Sequence, residues 1–299
     1  MINKLLNSLA MLFVTIAALI IFTGCQTAQD TTADATTTTT STTTTTTILV
    51  PDGLVAYYTF DESTGSTASD SSGSGLDGTV YGATWATGHL GNALSFDGTD
   101  DAVKIPASGE AAPSAIAALE TGSISLWFKF EGAPGTEGFF LPIFYLGPSA
   151  EVSGSKEGAI IEIGHRGVDV ENLRTSTKLF YTITLAGSEE PIFCYDSSIN
   201  LTAEAWYHFV VTVSSEGNTG YLNGEEMTYR HYNFPTRDFD NDSLESYFLS
   251  PVTSDLLSIG FGRSAVDSFT YYYDGLIDEV RIYNRPLTAA EVTQLYQEE

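Results

Sequence analysis

The chain has 299 residues, 42% hydrophobic and 17% charged, which supplies a packed core and excludes global disorder. The 38 acids against 12 bases give a formal net charge of -26, and this argues against a nucleic-acid partner, because phosphate contacts need Lys and Arg. With only Cys25 and Cys194 present, a disulfide framework is excluded.

Residues 1–24 read as an export signal. Lys4 gives a positive start, the apolar run Leu9 to Phe22 is short for a bilayer span, and the small residues Thr23 and Gly24 precede Cys25. Residues 25–50 follow as a Thr-rich linker, with Thr36 to Thr47 broken only by Ser41. Such a segment has no apolar face to bury and is expected to be disordered and extended, reaching roughly 80 Å at ~3.3 Å per residue.

Residues 51–299 carry the fold. Ala56, Tyr58 and Phe60 alternate with Val55, Tyr57 and Thr59. The same period of two recurs at Ile124, Leu126, Phe128 and Phe130, and again at Phe209, Val211 and Val213. Asn223-Gly224 predicts a tight hairpin turn. One short helix is predicted near the end, where Thr288 and Glu291 form a capping-box pattern ahead of Val292, Leu295 and Tyr296. Many short strands and one terminal helix predict an all-β, two-sheet antiparallel sandwich or jelly roll.

Three groups of residues are candidates for a site. Trp127, Trp206 and His208 sit at the parity opposite the apolar faces of their strands, so they can form a sugar platform or pack under a covering loop. The long segment 227–255 carries Tyr232 among other aromatics, and Tyr271, Tyr272 and Tyr273 follow close behind; these rings either stack on sugars or form a satellite core. Asp278 shares its parity with Val280 and Ile282, and a core-facing carboxylate there needs a cation or hydrogen-bond donors. The run Asp238-x-Asp240-x-Asp242 fails as a calcium loop, since Ser243 and Leu249 stand where Gly and Glu are required, and it reads as a solvated loop. No catalytic residues are assigned. The paired-carboxylate pattern Glu-x-Asp-x-x-Glu is absent, as are G-x-S-x-G, H-E-x-x-H and a P-loop.

Six ordered signatures resemble a known family. They are Gly53-Leu-Val-Ala-Tyr-Tyr-Thr-Phe-Asp-Glu62, Gly91-Asn-Ala-Leu-Ser-Phe-Asp-Gly98, Ser123-Ile-Ser-Leu-Trp-Phe128, Trp206-Tyr-His-Phe-Val-Val211, Tyr221-Leu-Asn-Gly224 and Gly275-Leu-Ile-Asp-Glu-Val-Arg-Ile-Tyr-Asn284. Together they resemble the laminin-G-like jelly roll of the concanavalin A-like lectin/glucanase superfamily over about residues 53–297. The resemblance implies a structural calcium between the first and last strands, which would fall to Asp61 or Glu62 and Asp278, with Asp97 a further nomination. It also implies a lectin-like module that binds a carbohydrate. The alternatives are an adhesion module for a cell-surface or extracellular protein, or a glycoside hydrolase or lyase on the same fold. Separately, Phe22-Thr23-Gly24-Cys25 resembles a bacterial lipobox, which implies lipidation at Cys25, and Gln26 then suits sorting to the outer membrane.

Overall fold

The computed structural model describes residues 51–106, 112–131, 140–148, 158–164, 178–184, 193–196, 199, 201–215, 217–227, 256–263 and 270–298. In chain order the strands are β1 (Leu54–Tyr58), β2 (Thr67–Ala68), β3 (Gly78–Tyr81), β4 (Thr84–Thr87), β5 (Asn92–Asp97), β6 (Ala102–Ile105), β7 (Gly122–Phe130), β8 (Phe140–Gly147) and β9 (Gly158–Gly164). They continue as β10 (Lys178–Thr184), β11 (Phe193–Asp196), β12 (Tyr207–Ser214), β13 (Gly217–Leu222), β14 (Glu225–Glu226), β15 (Leu256–Ile259), β16 (Phe261–Arg263), β17 (Thr270–Tyr272) and β18 (Asp274–Tyr283). Helix α1 (Ser114–Ala117) is a single turn, and α2 (Ala289–Tyr296) is the terminal helix.

Two eight-stranded antiparallel sheets form the sandwich. The first has the order β14-β13-β12-β7-β18-β5-β4, with β1 also pairing to β18. The second has the order β11-β10-β9-β8-β15-β6-β3-β2, and β16 and β17 make a separate two-stranded ribbon. The alternation read along the chain fills the space between the sheets. Leu126 and Phe128 of β7, Phe209 and Val211 of β12, and Ile277 and Ile282 of β18 share one core with Val103, Ile105, Phe144, Leu146 and Leu257. Each such side chain contributes roughly 1.5–3 kcal/mol by leaving water, so the core is what holds the sheets face to face.

The outer face of the first sheet is also covered. Val292 and Leu295 of α2 pack with Val210, Tyr221, Tyr283 and Leu287 in a second apolar cluster. The helix starts where the capping box predicts: the Glu291 backbone N–H donates to Thr288 Oγ1, and the Thr288 N–H donates to Glu291 Oε2 at 2.8 Å. Asn223 and Gly224 both have positive φ, as the primed hairpin turn between β13 and β14 requires.

Strand β18 departs from strict alternation. Against β7, Ile277 pairs with Phe128 and Asp278 with Trp127, then the register slips, and Arg281 pairs with Ser125. Glu279 is the extra residue, at φ 53. This bulge reverses the parity on either side of itself. Val280 and Ile282 stay in the core, while Asp278 lies on the outer face beside Trp127, which corrects the parity expected from the sequence.

The ribbon turns on Gly260. Its φ is +76, and a Cβ there would meet the Phe96 ring at 2.2 Å, so the chain can pass only as glycine. The Gly260 N–H donates to Ile143 O, and the Tyr273 N–H donates to Gly260 O. Beyond this point the ribbon comes against Pro142 and Tyr145, and the paired Phe261 and Tyr272 alternate to the side opposite buried Tyr273.

Candidate functional site

The residues nominated on the first sheet form one row. His208, Trp127 and Asp278 are cross-strand neighbours on β12, β7 and β18. The row is roofed. The His89 ring stacks on Trp127 at 3.5 Å between centroids, and Tyr296 of α2 stacks on it at 5.7 Å. Trp127 is left 4% exposed, so it offers no free face to a sugar. His208 is 0% exposed, and its Nε2 is 2.9 Å from Ser125 Oγ. Burial, with smaller contributions from Arg281 and His89, pushes the His208 pKa down to about 3, so the ring is neutral. Trp206 is half-buried and tilts against His89 at 5.9 Å. The Lys129 ammonium lies 5.8 Å from the Trp206 ring and 3.7 Å from Glu204. Four buried polar atoms in this cluster, Trp127 Nε1, His89 Nε2, His208 Nδ1 and Asp278 Oδ1, have no hydrogen-bond partner among the described residues.

The nominated metal ligands fall into two places. Asp278 Oδ2 accepts the backbone N–H groups of His89 and Leu90 at 2.9 and 3.0 Å. Asp61 Oδ1 accepts the Asn92 N–H at 2.9 Å, so both carboxylates clasp the same turn between β4 and β5. Backbone donors thus occupy an oxygen of each. Burial pushes Asp278 up to about 7 against these hydrogen bonds. Asp97 sits elsewhere: it pairs with Asp274, and the four residues of strand from there to Asp278 span roughly 13 Å. Asp97 instead joins Asp100 and Asp101, with one ligand oxygen of each within 4.8 Å of the others. This triad could hold a metal ion. Asp101 is 5% exposed, and its Oδ2 accepts the Asp97 N–H at 2.9 Å. Burial and the neighbouring Asp97 and Asp100 raise its pKa, the direction a bound cation would oppose.

The second sheet presents a different outer face. Lys104 on β6 pairs with Thr79 on β3, which puts Tyr81 on the same side. The Lys104 ammonium lies 5.1 Å from the Tyr81 ring centroid and 5.7 Å from that of Phe261. Phe261 and Tyr272 tilt together at 5.1 Å on the ribbon. Tyr81 is 44% exposed, while Lys104, Phe261 and Tyr272 are half-buried. Next to Tyr81, Gly82 at φ +73 leaves room for the Asp101 carboxylate, which a Cβ would meet at 1.9 Å. The aromatic set and the Asp triad therefore adjoin.

Of the other nominated rings, Tyr273 is 0% exposed and packs edge-on against Phe96 in the core. Tyr271 is half-buried on the ribbon, paired with Gly262. Tyr232, the rest of the 228–255 segment and Cys25 lie outside the described residues. Tyr81, Lys104 and Phe261 escaped the sequence reading, because they come from three segments joined only by sheet order. The Tyr81-Gly82 step was the one local signal, a ring at a turn glycine.

The family described as the Concanavalin A-like lectin/glucanases superfamily matches residues 97–293. No curated protein matches the chain. Among solved structures, domain 4 of AbnA, an extracellular arabinanase from Geobacillus stearothermophilus in complex with arabinotriose, is 24% identical, covering 82% of this chain and 98% of that one at a TM-score of 0.51. Trypanosoma rangeli sialidase in complex with the inhibitor DANA is 14% identical, covering 83% of this chain at a TM-score of 0.51, and this chain spans 33% of it. The binding domain of botulinum neurotoxin serotype D is 14% identical, with 82% and 52% of the two chains covered at a TM-score of 0.53. These likenesses show the fold.

Proposed function

We propose that this chain, which belongs to the concanavalin A-like lectin/glucanases superfamily, is a non-catalytic module that binds glycan at the cell envelope. The observation that carries this reading is the partly exposed set of Tyr81, Phe261 and Tyr272 around Lys104, on a face that differs from the helix-covered face of the other sheet. Flat rings bury the C–H faces of a pyranose, and nearby carboxylates accept from its hydroxyls. The arabinotriose complex of the similar arabinanase domain supports a saccharide as partner. The one Ser–His contact in the described residues is not a nucleophile–base pair open to substrate. Ser125 and His208 are both fully buried, and His208 Nδ1 has no orienting carboxylate among the described residues.

Calcium is the metal whose chemistry fits the Asp triad, because it takes hard carboxylate oxygens and tolerates irregular geometry. Asp97, Asp100 and Asp101 would hold it, and it would offset their mutual repulsion beside Tyr81. Lipidation at Cys25 would tether the module to the outer membrane, with residues 25–50 as its stalk. The test is affinity electrophoresis of the soluble domain through a panel of neutral and acidic polysaccharides. Retardation that falls in both Tyr81→Ala and Phe261→Ala supports the reading. Retardation that survives both substitutions overturns this face, and no retardation by any polymer overturns glycan binding in favour of a protein partner.

A further inference from the structure

We infer that Lys104 makes this face selective for a carboxylated sugar, a uronic acid unit of an acidic polysaccharide. The inference rests on the glycan-binding reading above and adds the class of sugar. It begins with the basic residues. The described side chains include four, and three of them have carboxylate partners. Lys129 pairs with Glu204, Arg281 with Glu279 and Glu298, and Arg285 with Asp52 and Glu291. Lys104 has no carboxylate within ion-pair distance among the described residues, in a chain whose acids outnumber its bases 38 to 12. What surrounds its ammonium is two ring faces, at 5.1 and 5.7 Å.

Those rings do two things to the charge. They hold a flexible side chain in place, since a cation over an aromatic face is attracted to the ring quadrupole. They also replace water on part of its surface, so an incoming anion meets a less screened charge than on an open loop. Because the ammonium itself lies over the ring faces, a sugar ring lodged against exposed Tyr81 beside it would bring its substituents into reach of Lys104 Nζ. A hexuronate carries a carboxylate on the ring, where the neutral hexose carries a hydroxymethyl group. The ammonium has three donors and no acceptor, so it discriminates between the two. The net charge of -26 does not prevent this, because repulsion from distant acids is screened beyond about 8 Å at physiological salt while the contact with Lys104 is short-ranged. The nearby Asp triad is the local opponent, and calcium bound there would remove it.

The probes are polygalacturonate and the same polymer after carboxyl reduction, run in affinity electrophoresis at 0.15 M salt with calcium present. The wild-type domain is expected to bind the acidic polymer about fivefold more tightly, the scale of one partly shielded ion pair. Lys104→Gln is expected to lose that preference while still binding the reduced polymer, and Lys104→Arg is expected to keep it. Lys129→Gln, which removes a cation elsewhere, controls for net charge and should leave the preference intact. An equal affinity of the wild type for both polymers, or a preference that persists in Lys104→Gln, overturns the inference and leaves glycan binding standing. If neither polymer, nor any other, retards the wild type, the glycan reading itself falls.

Discussion

The His89 imidazole lies over the Trp127 indole at 3.5 Å between centroids and 19° between planes. No hydrogen bond from its Nε2 fixes it there among the described residues. The ring is delivered by its backbone, whose N–H donates to Asp278. A strand carboxylate thus closes the outer face of the first sheet by holding a turn, and the turn carries the roof.

Removing the roof should uncover the indole. In a background with Trp85→Phe and Trp206→Phe, so that Trp127 alone emits, His89→Ala is expected to shift fluorescence to the red and raise acrylamide quenching. The lost ring pair should cost about 0.5–1.5 kcal/mol. An unchanged spectrum would mean that α2 and Tyr296 suffice to shield Trp127.

Asp278 should make stability depend on pH. Its folded pKa, raised by burial to about 7, exceeds the ordinary carboxylate value, so the folded state holds the proton more tightly. The contribution is therefore complete below about pH 4 and is lost as pH rises through 7. Asp278→Asn keeps an oxygen to accept from His89 and Leu90 but never ionises. Relative to wild type, its melting temperature should gain between pH 4 and 8, corresponding to an order of 1–3 kcal/mol. A wild-type-minus-variant difference that stays flat over this range would refute the assignment.

Calcium should stabilise the domain through the Asp triad. After EDTA treatment, adding calcium is expected to raise the melting temperature by a few degrees, and Asp101→Asn should abolish the rise, whereas Asp61→Asn should lower stability without removing the response. A response lost in Asp61→Asn and kept in Asp101→Asn would move the ion to the clasped turn.

Arg281 anchors the end of the chain to the sheet. Its Nη2 contacts Glu279, lies 2.7 Å from Glu298 Oε2 and donates to the hydroxyl of half-buried Tyr57 at 2.8 Å, and both acids are buried with it. Arg281→Met leaves two acids without their cation and should cost about 3–5 kcal/mol in denaturant unfolding. Adding Glu279→Gln should recover part of that loss. A single variant as stable as wild type would mean that the acids take up protons at no cost.

The strands, the hairpin turn and the helix start were legible because each follows from a short-range pattern: alternation at Leu126 and Phe128, Asn223-Gly224, and the Thr288–Glu291 pair. The outward parity of Trp127 and His208 was legible too. Their burial was not, because the cover comes from His89 and Tyr296, 38 residues before and 169 after Trp127 in the chain. The bulge at Glu279 was hidden for a different reason. Nothing in Ile277-Asp-Glu-Val280 announces an extra residue, and the pairing with β7 is what exposes it. The Tyr81–Lys104–Phe261 set required the order of strands in the second sheet, which no local pattern contains.

That extra residue works like an inserted letter in a reading frame. Val280 to Tyr283 are pinned by β1, so the frame downstream is fixed. Were Glu279 taken into regular pairing instead of bulging, strict alternation back from Val280 would turn the preceding stretch over, sending the Asp278 carboxylate into the apolar interior and Ile277 out beneath His89, whereas deleting Glu279 leaves both facing as they do. One backbone bulge therefore separates a sheet whose outer face closes over a tryptophan from one that carries a bare acid at its centre.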